Sequence, residues 1–132
     1  MEQAELRDIV SSYLEHCRTG DERFSDAAMA VTAISFISPP EQQWQMVLEA
    51  VRQARDDNDL GHVAAGPIEG LLGRYGEQYI EPVEQRAAAD PKFARAMTGV
   101  WKYRMSDEVW SRVQALQARC TDPLHPSEGC SD

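Results

Sequence analysis

The sequence predicts an all-α fold, a single compact bundle of six or seven short helices, and three observations point there. Apolar residues recur every three or four positions through most of the chain, the spacing that gathers them on one face of a helix. The segments so marked are joined by short turns rich in Gly, Pro, Asp and Ser. No hairpin or βαβ pattern interrupts them. A small solenoid of stacked helix pairs is the alternative, weakened because no segment repeats at a fixed period.

The first helix carries Leu6, Ile9, Val10, Tyr13, Leu14 and Cys17 on one face, and Gly20 is its C-terminal stop. Ser25 is a cap candidate for the next segment, residues 26–37, which is apolar nearly all round and therefore expected to be buried. Its β-branched end (Val31, Thr32, Ile34) also suits a short strand, and helix is the favoured reading. Ser38-Pro39-Pro40-Glu41 reads as a capping box with prolines in the first turn. A third helix follows with Trp44, Val47, Leu48 and Val51 inward, ending near Arg55.

Residues 60–75 form the central element. Leu60, Val63, Ala64, Ile68, Leu71, Leu72 and Tyr75 keep helical spacing through Pro67, while His62, Gly66, Glu69, Gly70 and Gly73 share the opposite face. Glycine allows a neighbour to approach closely, so this helix can be packed from both sides. The acidic turn Asp56-Asp57-Asn58-Asp59 supplies its N-cap candidates. At Pro67 the helix either kinks or stops and restarts, and in the second case Glu69 has a capping role at the third position. Gly76 is expected to end it.

The next helix presents Tyr79, Ile80, Val83 and Ala87, with a kink or late start at Pro82. Asp90-Pro91 opens the following one, whose stripe is Phe93, Ala94, Met97, Val100 and Trp101. After the basic linker Lys102-Tyr103-Arg104, Ser106 caps a last helix, with Met105 and Trp110 at staple positions and Val109, Val113 and Leu116 continuing its apolar face. Residues 1–120 are thus read as one helical domain and 121–132 as a disordered tail.

With 13 Lys plus Arg against 22 Asp plus Glu, the chain carries a formal charge of −9. That charge repels phosphate backbones and anionic lipid, so neither nucleic acid nor a membrane is expected as a direct partner. A protein with a basic surface is. The most apolar window, residues 27–37, is about half of the ~20 residues a membrane helix needs. The N-terminus has acids where a secretory leader has a basic region, and Cys17, Cys120 and Cys130 form no close pairs, so the expected compartment is the cytoplasm.

No reaction centre is legible. His16, His62 and His125 show no metal-site spacing, and Cys120, His125 and Cys130 supply too few ligands too loosely spaced, so no metal and no cofactor is expected. The glycines at 66, 70, 73 and 76 lack the Lys-Ser or Lys-Thr of a phosphate loop. No catalytic residue is assigned. Trp44, Trp101 and Trp110 each fit a core stripe, although Trp101, followed by Lys102, Tyr103 and Arg104, also fits a binding hot spot.

Ala65 to Glu69, Gly76-Glu77, Asp90 to Phe93 and Gly99 to Trp101 together form a pattern, Ala-Gly-Pro-Ile-Glu, Gly-Glu, Asp-Pro-x-Phe and Gly-Val-Trp. In this the segment from Gly61 to Leu116 resembles a family of small bacterial helical proteins classed as a domain of unknown function. The resemblance implies a helical domain of bacterial or phage origin, directs attention to Glu69 and Trp101, and transfers no activity.

The expected function is non-enzymatic protein binding, most concretely by an acidic inhibitor of a toxin or nuclease, an immunity protein or a phage-encoded antagonist. Asp56, Asp57, Asp59 and Glu69 would imitate phosphates, with Trp101 and Arg104 as further contacts. One alternative is an enzyme or small-ligand receptor with a pocket lined by His62, Gly66, Glu69, Gly70 and Gly73. Another is an obligate homo-oligomer joined through the same glycine face.

Overall fold

The computed structural model describes residues 2–124, and all of its regular elements are helical. The helices are α1 (Gln3–Thr19), α2 (Ser25–Ile37), α3 (Pro40–Gln53), α4 (Asp57–Val63), α5 (Glu69–Ala89), α6 (Pro91–Met97) and α7 (Asp107–Arg119). A 3-10 turn, Glu22–Phe24, precedes α2, and a π-helical turn, Ala64–Ile68, joins α4 to α5. α1 packs on α2, α3 and α4, while α5 packs on α2, α3, α6 and α7. In a solenoid each unit would touch its sequence neighbours alone, so these long-range packings make a bundle.

Several caps act as their chemistry requires. Gly20 takes φ 69 and returns its N–H to His16 O. Asp56 accepts from Asp59 N at 2.9 Å, Asp90 from Lys92 N at 3.0 Å, and Ser106 from Val109 N at 3.1 Å, opening α4, α6 and α7. Two expected caps do not form. Ser25 is already helical, because the 3-10 turn runs directly into α2 and Ser25 N–H bonds to Glu22 O. Ser38 lies one residue too early, since Pro39 takes the N-cap position of α3; the Ser38 carbonyl instead accepts from Gln43 Nε2 at 2.7 Å.

Residues 26–37 are helix, not strand, and Thr32 and Ser35 satisfy their hydroxyls on the carbonyls one turn back. They are not buried all round: only Val31, Ile34 and Ser35 face the core. At Pro67 the chain neither stops nor restarts. The backbone widens into the π turn, which accommodates the missing donor and the ring that crowds the carbonyl four residues back. α5 is kinked at Tyr75 (φ −126, ψ 27), where two helical segments join beside the expected stop at Gly76, and Pro82 lies inside the second segment without breaking it. Gly76 serves packing, since a Cβ there would lie 3.0 Å from Val109 Cγ1 of α7.

α6 ends at Met97, earlier than its apolar stripe suggests. Thr98, Gly99 and Val100 close tight turns onto the carbonyls three residues back, and a Cβ at Gly99 would stand 3.2 Å from Ala64. Residues 121–124, expected as the start of a loose tail, are docked. Leu124 N–H donates to Thr98 Oγ1 at 2.9 Å, and Arg95 holds the Asp122 carbonyl. His125, Cys130 and the remainder of the expected tail lie outside the described residues.

Candidate interaction site

The loop between α6 and α7 is pinned at both ends. Val100 and Met105 are buried, and Gln117 of α7 donates through Nε2 to Met97 O and Val100 O. Beneath the loop lies the start of α5. Glu69 Oε2 accepts the Trp101 N–H at 2.8 Å. One turn on, a Cβ at Gly73 would fall 2.6 Å from the Tyr103 carbonyl oxygen, so the loop backbone rests on bare helix. Arg104 occupies the left-handed region at φ 63, which costs a residue with a Cβ about 1 kcal/mol.

This scaffold presents side chains outward. Trp101 is 74% exposed, Tyr103 is also exposed, and the Arg104 guanidinium lies over the Tyr103 ring at 5.5 Å. Lys102 pairs with Asp107. The array offers an exposed aromatic side chain beside cations on a held loop backbone. Trp101 is therefore not the core residue its place in the stripe suggested, because α6 stops before it and the chain turns outward.

The other expected contacts are dispersed. Asp59 is fully buried and takes a bidentate ion pair from Arg18, with Nη2 to Oδ2 at 2.7 Å, and also accepts Arg55 N–H at 2.9 Å. It is closed to any partner. Asp57 pairs with Arg95 at 2.8 Å. Only Asp56 of that run combines exposure with freedom from an ion pair among the described residues, and its carboxylate already caps α4. The acidic run is thus mostly spent inside the fold. Nothing local in the sequence marks Arg18 as the partner of Asp59, since 41 positions separate them.

The glycine face is covered by its own fold. A Cβ at Gly66 would meet Tyr13 Oη at 3.6 Å, and one at Gly70 the Ser35 carbonyl oxygen at 3.2 Å, with the Tyr103 contact at Gly73 completing the cover. At Gly70 and Gly73 the neighbouring backbone leaves no room for a ligand or a second subunit. His62 is exposed, its carbonyl accepting from Tyr13 Oη at 3.3 Å, and Glu69 is turned to Trp101, so the two make no joint site. A hollow of about 220 Å³ beside Glu84, Leu116 and Cys120 and one of about 300 Å³ beside Leu6, Pro39 and Gln42 lie elsewhere. Among the described residues no three His, Cys, Asp or Glu side chains converge as a metal site would require.

Burial pushes the Glu69 carboxyl above its ordinary value, only partly opposed by the Trp101 N–H. A carboxyl raised by folding favours the protonated form, so its contribution to stability falls as pH rises through the folded value. Glu69→Gln keeps an oxygen acceptor and removes the charge; at neutral pH its urea midpoint should match or exceed that of the wild type. Glu69→Ala loses the acceptor and should cost about 1 kcal/mol, with a shift in Trp101 emission as the loop loosens. Equal losses in both variants would show that the charge itself, not the clamp, matters.

The architecture and this site define an all-α protein whose exposed feature is a clamped aromatic loop. The chain belongs to the family of unknown function DUF6869, whose model matches residues 15–121. The match thus reaches from α1 through α7, further toward the N-terminus than the resemblance starting at Gly61. No curated protein and no solved structure matches the chain. Among the described residues no helix is long and apolar enough to cross a membrane.

Proposed function

We propose that this protein is a non-enzymatic binding module that engages another protein through the Trp101–Arg104 loop. The supporting observation is the exposure of Trp101 on a loop held by Glu69, Gly73 and Gln117. A loop backbone already held in place gives up little entropy on binding, and exposed Trp side chains on such loops dominate interface energetics. The formal charge of −9 steers the module toward a partner that is basic overall. Its most concrete form is a cytoplasmic bacterial or phage antagonist of a toxin or nuclease, blocking by insertion of the loop. Phosphate mimicry by an acidic array is the weaker route, with Asp57 and Asp59 engaged internally.

Capture of partners from the native host, followed by titration of the purified partner against variants, tests this reading. Trp101→Ala should weaken binding by at least about tenfold with the fold intact. Asp56→Lys should chiefly slow association at low salt. A partner that binds Trp101→Ala as tightly as the wild type would end the proposal.

A further inference from the structure

The large apolar side chains left exposed among the described residues are Met29, Ile37, Trp101 and Tyr103. The latter two belong to the loop already described. Met29 and Ile37 do not: they lie on α2, 70% and 81% exposed, with exposed Ala33 midway between them. Positions 29, 33 and 37 are one turn apart, so the three residues form a straight apolar stripe on the side away from Val31 and Ile34.

The ends of the stripe carry opposite charge. Exposed Asp26 stands in the first turn of α2, on the same side as the stripe. At the other end Arg74 of α5 donates to the Phe36 carbonyl and lies over the Phe36 ring at 5.2 Å, which fixes a cation where α2 stops. We infer that α2 is the surface through which two copies of this chain associate, antiparallel and crossing at Ala33.

That arrangement is self-complementary, as a twofold contact must be. Met29 precedes Ala33 by four residues and Ile37 follows it by four, so each Met29 meets Ile37 of the other copy. Asp26 lies seven positions before the crossing, about 10 Å along the axis. On the other copy the C-terminal end of α2 carries the cation Arg74, held at Phe36, as the counterpart of Asp26. Alanine at the centre allows the axes to approach to about 8 Å. So few side chains bury less than the ~1,200 Å² of a standard interface, which makes the association weak and concentration-dependent.

Sedimentation velocity on the full chain in reducing buffer, from about 1 µM to 1 mM, reads the result directly. The wild type should pass from monomer to dimer across that range. Met29→Asp and Ile37→Asp should each weaken the dimer at least about tenfold while the circular dichroism and melting temperature stay put, because neither side chain reaches the core. Asp26→Arg and Arg74→Asp should each be weakened alone and form a heterodimer when mixed, since mixing restores both opposite-charge pairs. Ala33→Arg checks the crossing point without touching Arg74. Trp101→Ala should leave the dimer unchanged, which separates this surface from the proposed binding loop. A wild type that stays monomeric, or a dimer indifferent to Met29→Asp, Ile37→Asp and Ala33→Arg, overturns the inference. Failure of the mixed variants to pair overturns the antiparallel arrangement.

Discussion

Asp59→Ala is expected to cost about 2–3 kcal/mol of unfolding free energy, because the largely buried Arg18 guanidinium loses its charge-assisted hydrogen bonds to Asp59 and keeps only the partly exposed Glu15 as counter-ion. The Arg18 side chain is only 19% exposed, so water can replace little of what the carboxylate supplies. The Arg55 N–H at the start of the turn loses its acceptor as well. Burial alone would raise the Asp59 carboxyl, but the Arg18 guanidinium and the Arg55 amide outweigh it and hold the group below its ordinary value. The sign follows from linkage. A carboxyl depressed by folding contributes stability above its unfolded value, about 4, and loses it as pH falls through the folded value.

Urea unfolding between about pH 2 and pH 7 should therefore show an acid limb in the wild type that is shallower in Asp59→Ala. Glu49 and Glu84 are also depressed, by Arg52 and Arg112, and leave a smaller residual limb of the same sign. An acid limb of full size in the variant would mean that Asp59 is not the group that matters. A loss well under 1 kcal/mol at neutral pH would mean that the ion pair contributes no more than a surface pair does.

Gly73→Ala is the second large effect, expected at about 1–3 kcal/mol with displacement of the Trp101 loop. The methyl group would stand 2.6 Å from the Tyr103 carbonyl oxygen, and a backbone atom cannot swing aside as a flexible side chain can. The loop must lift, which pulls on the Glu69 clamp and on the strained Arg104. Gly61→Ala is the control: nothing lies within 4 Å of a Cβ there, and the helix should gain up to about 1 kcal/mol. Equilibrium unfolding and Trp101 emission, measured on both, distinguish a clash at the loop from a general effect of helical glycine. If Gly73→Ala also weakens partner binding as Trp101→Ala does, clamp and anchor act as one unit.

Much of this molecule is written in local pattern. Helical spacing marks α1, α3 and α7, and Asp56, Asp90 and Ser106 cap the helices they precede, because such contacts span only a few residues. Boundaries were less legible. The stripe of α6 ran on to Trp101 although the helix stops at Met97, since periodicity records which side chains are apolar and not where the backbone turns. Pro82 resembles a stop yet lies inside α5, whereas Gly76 does mark a break, the kink at Tyr75 where two helical segments join.

The helical class, the acidic charge and the place of the central glycine-rich segment are all properties of residues read with their near neighbours, and so are visible in the chain without its fold. Tertiary structure decided what those residues do. It closed the glycine face with Tyr13, Ser35 and Tyr103, drew Asp59 onto Arg18, turned Trp101 outward and left Met29 and Ile37 in water. Each of those outcomes depends on segments distant in the chain meeting in space, and that meeting is set by how helices pack rather than by the spacing within any one of them.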